Sequence, residues 1–180
     1  MNEKNIKAYE SVLANKIKGV KFVCGFLDDV MKNHSGINAI VSPANSYGIM
    51  NGGIDRDIEK MLHIEEDVQK RIQKVGVPDA FYQHARRYLP VGKCEVVFKN
   101  GIYLFVAPTM KTPCFLHSDT KNICCAFYAI LMKYRELANL GIKIKIICPC
   151  LGTGVGNMDP SVSAKHVLNA YEYFMQTQLQ

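Results

Sequence analysis

Short apolar runs alternate along the chain with segments in which apolar residues recur every third or fourth position, the first spacing suiting strands and the second helices. Val20–Leu27 and Ile37–Ser42 are short, rich in β-branched residues and bounded by glycine or polar residues, so both are predicted as buried strands. After Gly52-Gly53, the spacing of Ile54, Ile58 and Leu62 predicts one helix, and Val68, Ile72 and Val75, ahead of Gly76, predict another. Cys94–Lys99 and Ile102–Ala107 flank Asn100-Gly101, a pair suited to the positive φ angles of a two-residue turn, so they are expected to pair as an antiparallel hairpin. Ser118, Asp119 and Thr120 offer caps for a helix carrying Ile123, Phe127, Ile130 or Leu131, Tyr134 and Leu137, which ends before Gly141. Ile142–Cys148 reads as a strand, and Asp159-Pro160 as the cap and first residue of a last helix through Phe174. Helices alternating with strands, plus one hairpin, describe an α/β fold: a three-layer α/β/α sandwich around a mixed central sheet. No repeat or linker divides residues 1–180, which are expected to form one domain.

Composition narrows the class. A hydrophobic share of 48% over 180 residues excludes disorder, collagen and a small disulfide scaffold. The net charge of +6 comes from lysines and arginines scattered between Lys4 and Lys165, with no basic stripe and no tryptophan, which speaks against nucleic acid as a partner. The longest apolar stretches fall far short of the roughly 18 residues of a membrane span, and Met1–Asn5 opens no secretory leader. The seven cysteines, odd in number and mostly inside apolar runs, point to a reducing, cytoplasmic or otherwise intracellular compartment. Neither Cys148-Pro149-Cys150 nor Cys124-Cys125 has a histidine at zinc-ligand spacing, so no metal and no cofactor are expected. With no coiled-coil pattern, a monomer is the simplest expectation.

Two glycine-rich loops each lead from a strand into a helix: Val41–Asp55 and Cys148–Pro160. Glycine lets the backbone approach a ligand closely, and successive N–H groups at a helix N-terminus make an anion site, so two converging loops suit a diphosphate. Gly152-Thr153-Gly154-Val155-Gly156-Asn157 fails the dinucleotide fingerprint, with Asn157 at the third glycine, and only 24 residues follow Gly156. Neither loop carries the Gly-Lys-Ser/Thr of a P-loop. Asn45 offers donors and an acceptor that match vicinal hydroxyls, or it closes an Asx-turn at the strand end. Ser46 has no neighbouring base and reads as a turn residue. His34 and His117 fall in loops and His63, His84 and His166 in or near helices, and no cysteine stands with a histidine in a nucleophile signature.

Ser42-Pro43-Ala44-Asn45, followed by Gly52-Gly53-Ile54-Asp55, together with Leu89-Pro90-Val91-Gly92 and Gly152–Asn157, resembles the macro domains, a family that binds ADP-ribose and in several branches hydrolyses its derivatives. The resemblance spans nearly the whole chain. It implies that Asn45 bonds the distal ribose, that Ser42, Ala44, Gly52, Gly53 and Ile54 line the ribose and phosphate side, and that the amides of Gly152, Thr153, Gly154, Val155, Gly156 and Asn157 hold the diphosphate. Asp55 either complements the helix dipole or helps to activate water. Asn45 and Asp55 are therefore the candidate catalytic residues.

The chain departs from the family pattern at four points. Gly25-Phe26-Leu27-Asp28-Asp29 puts Phe26 where the family carries the aspartate that meets adenine, so Phe26 and Leu27 either line the base or belong to the core, and Asp28 or Asp29 is a substitute acceptor. Gly156 replaces an aromatic that covers the ribose, Ser42 replaces the first asparagine of the tetrad, and Glu59 replaces a histidine. The expected partner is ADP-ribose or an ADP-ribosylated macromolecule, bound with hydrolysis, either removing ADP-ribose from a protein or nucleic acid or cleaving a phosphate from its ribose, or bound by a reader without turnover. A third possibility is a poly-adenosine binder that uses Arg86, Arg87 and Lys93 for phosphates.

Overall fold

The computed structural model describes residues 2–82 and 86–177, so His84 lies outside the described residues. The chain opens with α1 (Glu3–Leu13), an element not among those expected. Its cap is Asn2, whose side chain accepts from the Lys4 amide at 3.0 Å, and its buried residues are Tyr9 and Leu13. The expected strand Val20–Leu27 does not form. Within it only Phe22 packs on the core from the part before Leu27, Val20 and Phe26 are exposed, and the extended Phe26 caps α2 (Leu27–Asn33).

Strand β1 (Ala39–Ser42) follows and is buried along its whole length, as a strand flanked on both edges must be. The two periodic segments become α3 (Gly53–Leu62) and α4 (Glu65–Val75). A small antiparallel arm, β2 (Val77–Pro78) and β3 (Arg87–Tyr88), comes next. Its two-residue strands are too short to leave a periodicity.

The hairpin forms as its turn chemistry predicts. β4 (Glu95–Lys99) and β5 (Ile102–Val106) pair antiparallel with Lys99 opposite Ile102, and Asn100 and Gly101 take φ of 51° and 80°. Helix α5 (Asn122–Asn139) is capped by Lys121 without a side-chain bond; of the three expected caps, Thr120 reaches in, accepting from the Asn122 amide at 3.4 Å. Strand β6 is confined to Ile146–Ile147, because the Asn38 carboxamide bonds Lys143 and Lys145 and replaces the regular ladder there. Helix α6 (Pro160–Gln176) starts as foreseen, with Asp159 accepting from the Ser161 and Val162 amides.

The sheet order is β4-β5-β1-β6, with β1 parallel to β5 and β6, and β4 antiparallel to β5. Alternation along the strands divides the core in two. Ala39, Val41, Phe105 and Ala107 join buried residues of α1, α5 and α6, whereas Ile40, Leu104 and Val106 join those of α3 and α4. This is the expected three-layer α/β/α sandwich with a mixed sheet. Both glycine loops leave the carboxyl ends of the neighbouring parallel strands β1 and β6, and they therefore meet at one edge of the sheet.

Candidate functional site

A cleft of about 430 Å³ lies where the two loops meet. From the first loop and α3 it takes Ala44, Asn45, Gly52, Gly53, Ile54 and Asp55, and from the second Gly152, Thr153, Gly154, Val155 and Gly156. Phe26 and Leu27 close another side. Two expected residues are elsewhere. Ser42 is buried beneath the cleft, and Asn157, with φ of 47°, turns the chain and donates its amide to the Gly154 carbonyl.

The sequence reading missed Asn2, the cap of α1, Asn5 of α1, Val30 of α2, and Thr109, Met110 and Pro113 beyond β5, all of which border the cleft. The Asn2 cap with Ile6, Tyr9 and Leu13 at helical spacing is the signal that would have found α1.

The first loop is held by its own side chains. Asn45 Oδ1 accepts from the amides of Tyr47 (3.0 Å) and Ile49 (3.3 Å), and its Nδ2 donates to the Ile49 carbonyl (2.8 Å). That is the Asx-turn alternative, and it leaves one amide hydrogen of Asn45 for a ligand. Tyr47 donates its hydroxyl to the buried carboxylate of Asp79, which Lys111 also approaches at 3.1 Å. These contacts hold the Asp79 carboxyl below the usual range, the Tyr47 bond contributing most. Arg86 stacks over the Tyr47 ring at 3.9 Å, and Arg87 Nε donates to the Gly76 carbonyl. The arginine pair invoked for phosphates is thus engaged on the arm, away from the cleft.

Gly52 caps α3 without offering a side-chain acceptor, so the amides of the first turn stay available to a bound anion. In the second loop the carbonyls of Gly152, Gly154 and Gly156 accept from Met158, Asn157 and Leu116. Among the described residues these bonds leave the amides of Thr153–Gly156 unused. Gly156 is itself buried: a Cβ there would lie 2.6 Å from the Gly152 carbonyl oxygen and 2.9 Å from Leu116. Its bareness is a packing requirement of the loop, and Leu116 covers it where the family pattern has an aromatic ring.

Asp55 is the chemically distinctive residue. Burial pushes its carboxyl up to about 6, opposed by the Ser42 hydroxyl, which donates to Oδ1 at 2.7 Å. A carboxylate with that value is ionised at neutral pH and basic enough to accept a proton. The Cys150 thiol also borders the cleft, but burial pushes it up to about 11, which makes it a poor nucleophile. No lysine, arginine or histidine borders the cleft among the described residues, nor do those residues hold a cluster of three metal-ligating side chains.

A mixed-sheet α/β/α sandwich with a cleft between two glycine loops is one class of ligand-binding fold, and comparison with solved structures specifies it. The macrodomain of Mycobacterium tuberculosis DarG superposes with a TM-score of 0.59 at 17% identity, covering 84% of this chain and 88% of its own. A variant of the Oceanobacillus iheyensis macrodomain solved with ADPR gives 0.57 at 17% identity, over 79% and 73%. The Trypanosoma brucei macrodomain in complex with ADP-ribose gives 0.52 at 17%, over 78% of this chain and 53% of that one. The chain has the macrodomain fold. By sequence, an uncharacterized protein of Aquifex aeolicus (strain VF5) is 29% identical over 137 residues, 76% of this chain and 74% of its own. No protein-family model matches the chain.

Proposed function

We propose that the cleft binds ADP-ribose, free or attached to a macromolecule, and that Asp55 makes it a hydrolase. The observation that carries this reading is the pairing of two amide-rich loops, with no side-chain cation between them among the described residues, with a carboxyl raised to about 6 at their edge. A diphosphate suits the Thr153–Gly156 amides and the α3 N-terminus together. Two of the neighbours in fold hold ADP-ribose or ADPR, which supports the same ligand here.

Hydrolysis would run by two proton transfers through Asp55, first from the attacking water and then to the leaving group. Asp55 takes a proton from water as the water oxygen bonds the anomeric carbon of the ribose. The bond from that carbon to the modified group breaks, and the leaving group carries away the electron pair and then the proton. Ser42 is a positioning residue that fixes the carboxylate. Asn45 shapes the loop.

Calorimetric titration with ADP-ribose, using AMP and ATP as controls, tests binding, and release of ADP-ribose from a modified protein tests turnover. Asp55→Asn is expected to keep its affinity within about threefold and to lose turnover by about a hundredfold or more. Tight binding with no turnover in the unaltered protein would make it a reader of the same ligand.

A further inference from the structure

We propose that the open edge of the sheet at β4 pairs antiparallel with β4 of a second copy of this chain, making a twofold dimer with one continuous sheet. In the order β4-β5-β1-β6, β4 has a neighbour on one side only. Its pairing with β5 also shows which backbone groups are already used. A two-residue turn makes Lys99 and Ile102 a hydrogen-bonded pair, and alternation then turns the N–H and C=O groups of Glu95, Val97 and Lys99 toward β5. The other side of β5 agrees, since its odd-numbered residues face β1: Tyr103 donates its amide to the Asn38 carbonyl at 2.9 Å. The N–H and C=O groups of Val96 and Phe98 therefore point outward, without a partner among the described residues.

Native sheets protect such an edge with proline, a bulge, an inward charge or a covering element. β4 contains no proline, and its ladder runs without a bulge from Glu95 opposite Val106 to Lys99 opposite Ile102. Phe98 is 59% exposed although its ring packs on Tyr103 at 4.6 Å.

The occupant follows from the strand's own sequence. Glu95-Val96-Val97-Phe98-Lys99, set antiparallel to itself about Val97, brings Glu95 opposite Lys99 of the second copy and Val96 opposite its Phe98. In that register the Val96–Phe98 pairs are the hydrogen-bonded ones, so the outward groups of both residues are satisfied. A register centred on Val96 or Phe98 would instead put Glu95 or Lys99 opposite Val97. The side chains fit the first arrangement. Glu95 meets Arg71 of α4 at 2.7 Å through Oε2, and Lys99 meets Asp67 of α4 at 2.7 Å and donates to the His63 carbonyl. Oε1 of Glu95 and one N–H of the Lys99 ammonium are left for an ion pair across the twofold axis. On the opposite face, Val96 covers the exposed ring of Phe98 from the second copy. The monomer expected from the lack of a coiled-coil pattern left this edge out of account, because strand order is not legible in the sequence. No residue of β4 borders the cleft, so the dimer stands independently of the cleft's ligand.

The test is sedimentation equilibrium of the full chain between about 5 and 500 μM, a range wide enough for a small interface. The mass is expected to rise from that of one 20.2 kDa chain to twice that value, with the amides of Val96 and Phe98 exchanging more slowly at the higher concentration. Lys99→Glu and Glu95→Lys each set like charges opposite one another, and each is expected to weaken self-association by about tenfold or more. An equimolar mixture of the two variants is expected to regain it, because every charge then meets its opposite, a recovery that a folding defect does not give. Phe98→Ala, which removes an exposed side chain, is expected to weaken the dimer with unchanged circular dichroism. The mass of one chain throughout the range would overturn the proposal. So would a dimer that the single variants form as well as the unaltered protein, one whose Val96 and Phe98 amides exchange as fast as in the monomer, or a mixture that associates no better than its parts.

Discussion

The burial that raises the Asp55 carboxyl to about 6 stores a cost in the folded state. Below the unfolded value of 3.8 both states are protonated and nothing is lost; between 3.8 and about 6 the unfolded carboxyl ionises while the folded one keeps its proton, so stability falls across that window and levels off above about 6. Asp55→Asn keeps an oxygen for the Ser42 hydroxyl and removes that charge. It is expected to be more stable than the unaltered protein by on the order of 2 kcal/mol at pH 7.5 and indistinguishable from it at pH 3.5, as read by urea unfolding at both values. Equal stability at both would mean that Asp55 is well solvated and an ordinary acid. At Gly156 the constraint is steric. Gly156→Ala pushes a methyl against a backbone carbonyl that cannot move without opening the loop, and it is expected to lower stability by about 1–3 kcal/mol and weaken ADP-ribose binding. A variant of unchanged melting temperature and affinity would show that the loop yields freely.

Connections between elements explain substitutions that the family pattern leaves odd. Glu59, found where the pattern has a histidine, accepts from the amides of Ile64 (2.7 Å) and Glu65 (2.6 Å) and so caps α4 from the preceding helix. Glu59→Ala is expected to cost about 1–2 kcal/mol by thermal or denaturant unfolding while sparing the affinity for ADP-ribose; a loss of affinity without loss of stability would point to a direct role in the site. The arm β2–β3 acts on the first loop in a similar way, through Asp79 and Tyr47. Tyr47→Phe keeps the rings packed and deletes the hydroxyl from a charged acceptor, so a loss of about 1–3 kcal/mol is expected, with faster amide exchange across residues 42–53. Neither contact was legible beforehand, since each joins residues whose proximity depends on how the helix or the arm folds back.

For the whole molecule, the net charge of +6 and the absence of a cation on the cleft, among the described residues, point to different behaviour at different places. The surplus lies on the general surface, and the cleft offers neutral amides. ADP-ribose affinity is therefore expected to change by less than about threefold between 50 and 200 mM salt, where a protein neutralising six to ten phosphates loses on the order of a thousandfold or more. Titration at the two salt concentrations decides between them, and a steep loss would favour the polyanion reading. No helix among the described residues is long and apolar enough to cross a membrane.

By itself the sequence determined the elements whose signals are local: the Asn100-Gly101 hairpin, the periodic faces of α3 and α4, the Asp159-Pro160 start of α6 and the two glycine loops. Each is decided by backbone preferences within a few residues or by a repeated apolar face, and the alternation of these elements was enough for the three layers. Tertiary structure decided everything that depends on neighbours distant in the chain. It turned the expected strand Val20–Leu27 into an irregular, partly exposed lead to α2 that packs on the core through Phe22. It brought α1 to the cleft, committed Asn45 to its own loop, and raised Asp55 by desolvation. Burial and hydrogen-bond partners are properties of the packed chain, and a residue's chemistry follows them more closely than its name.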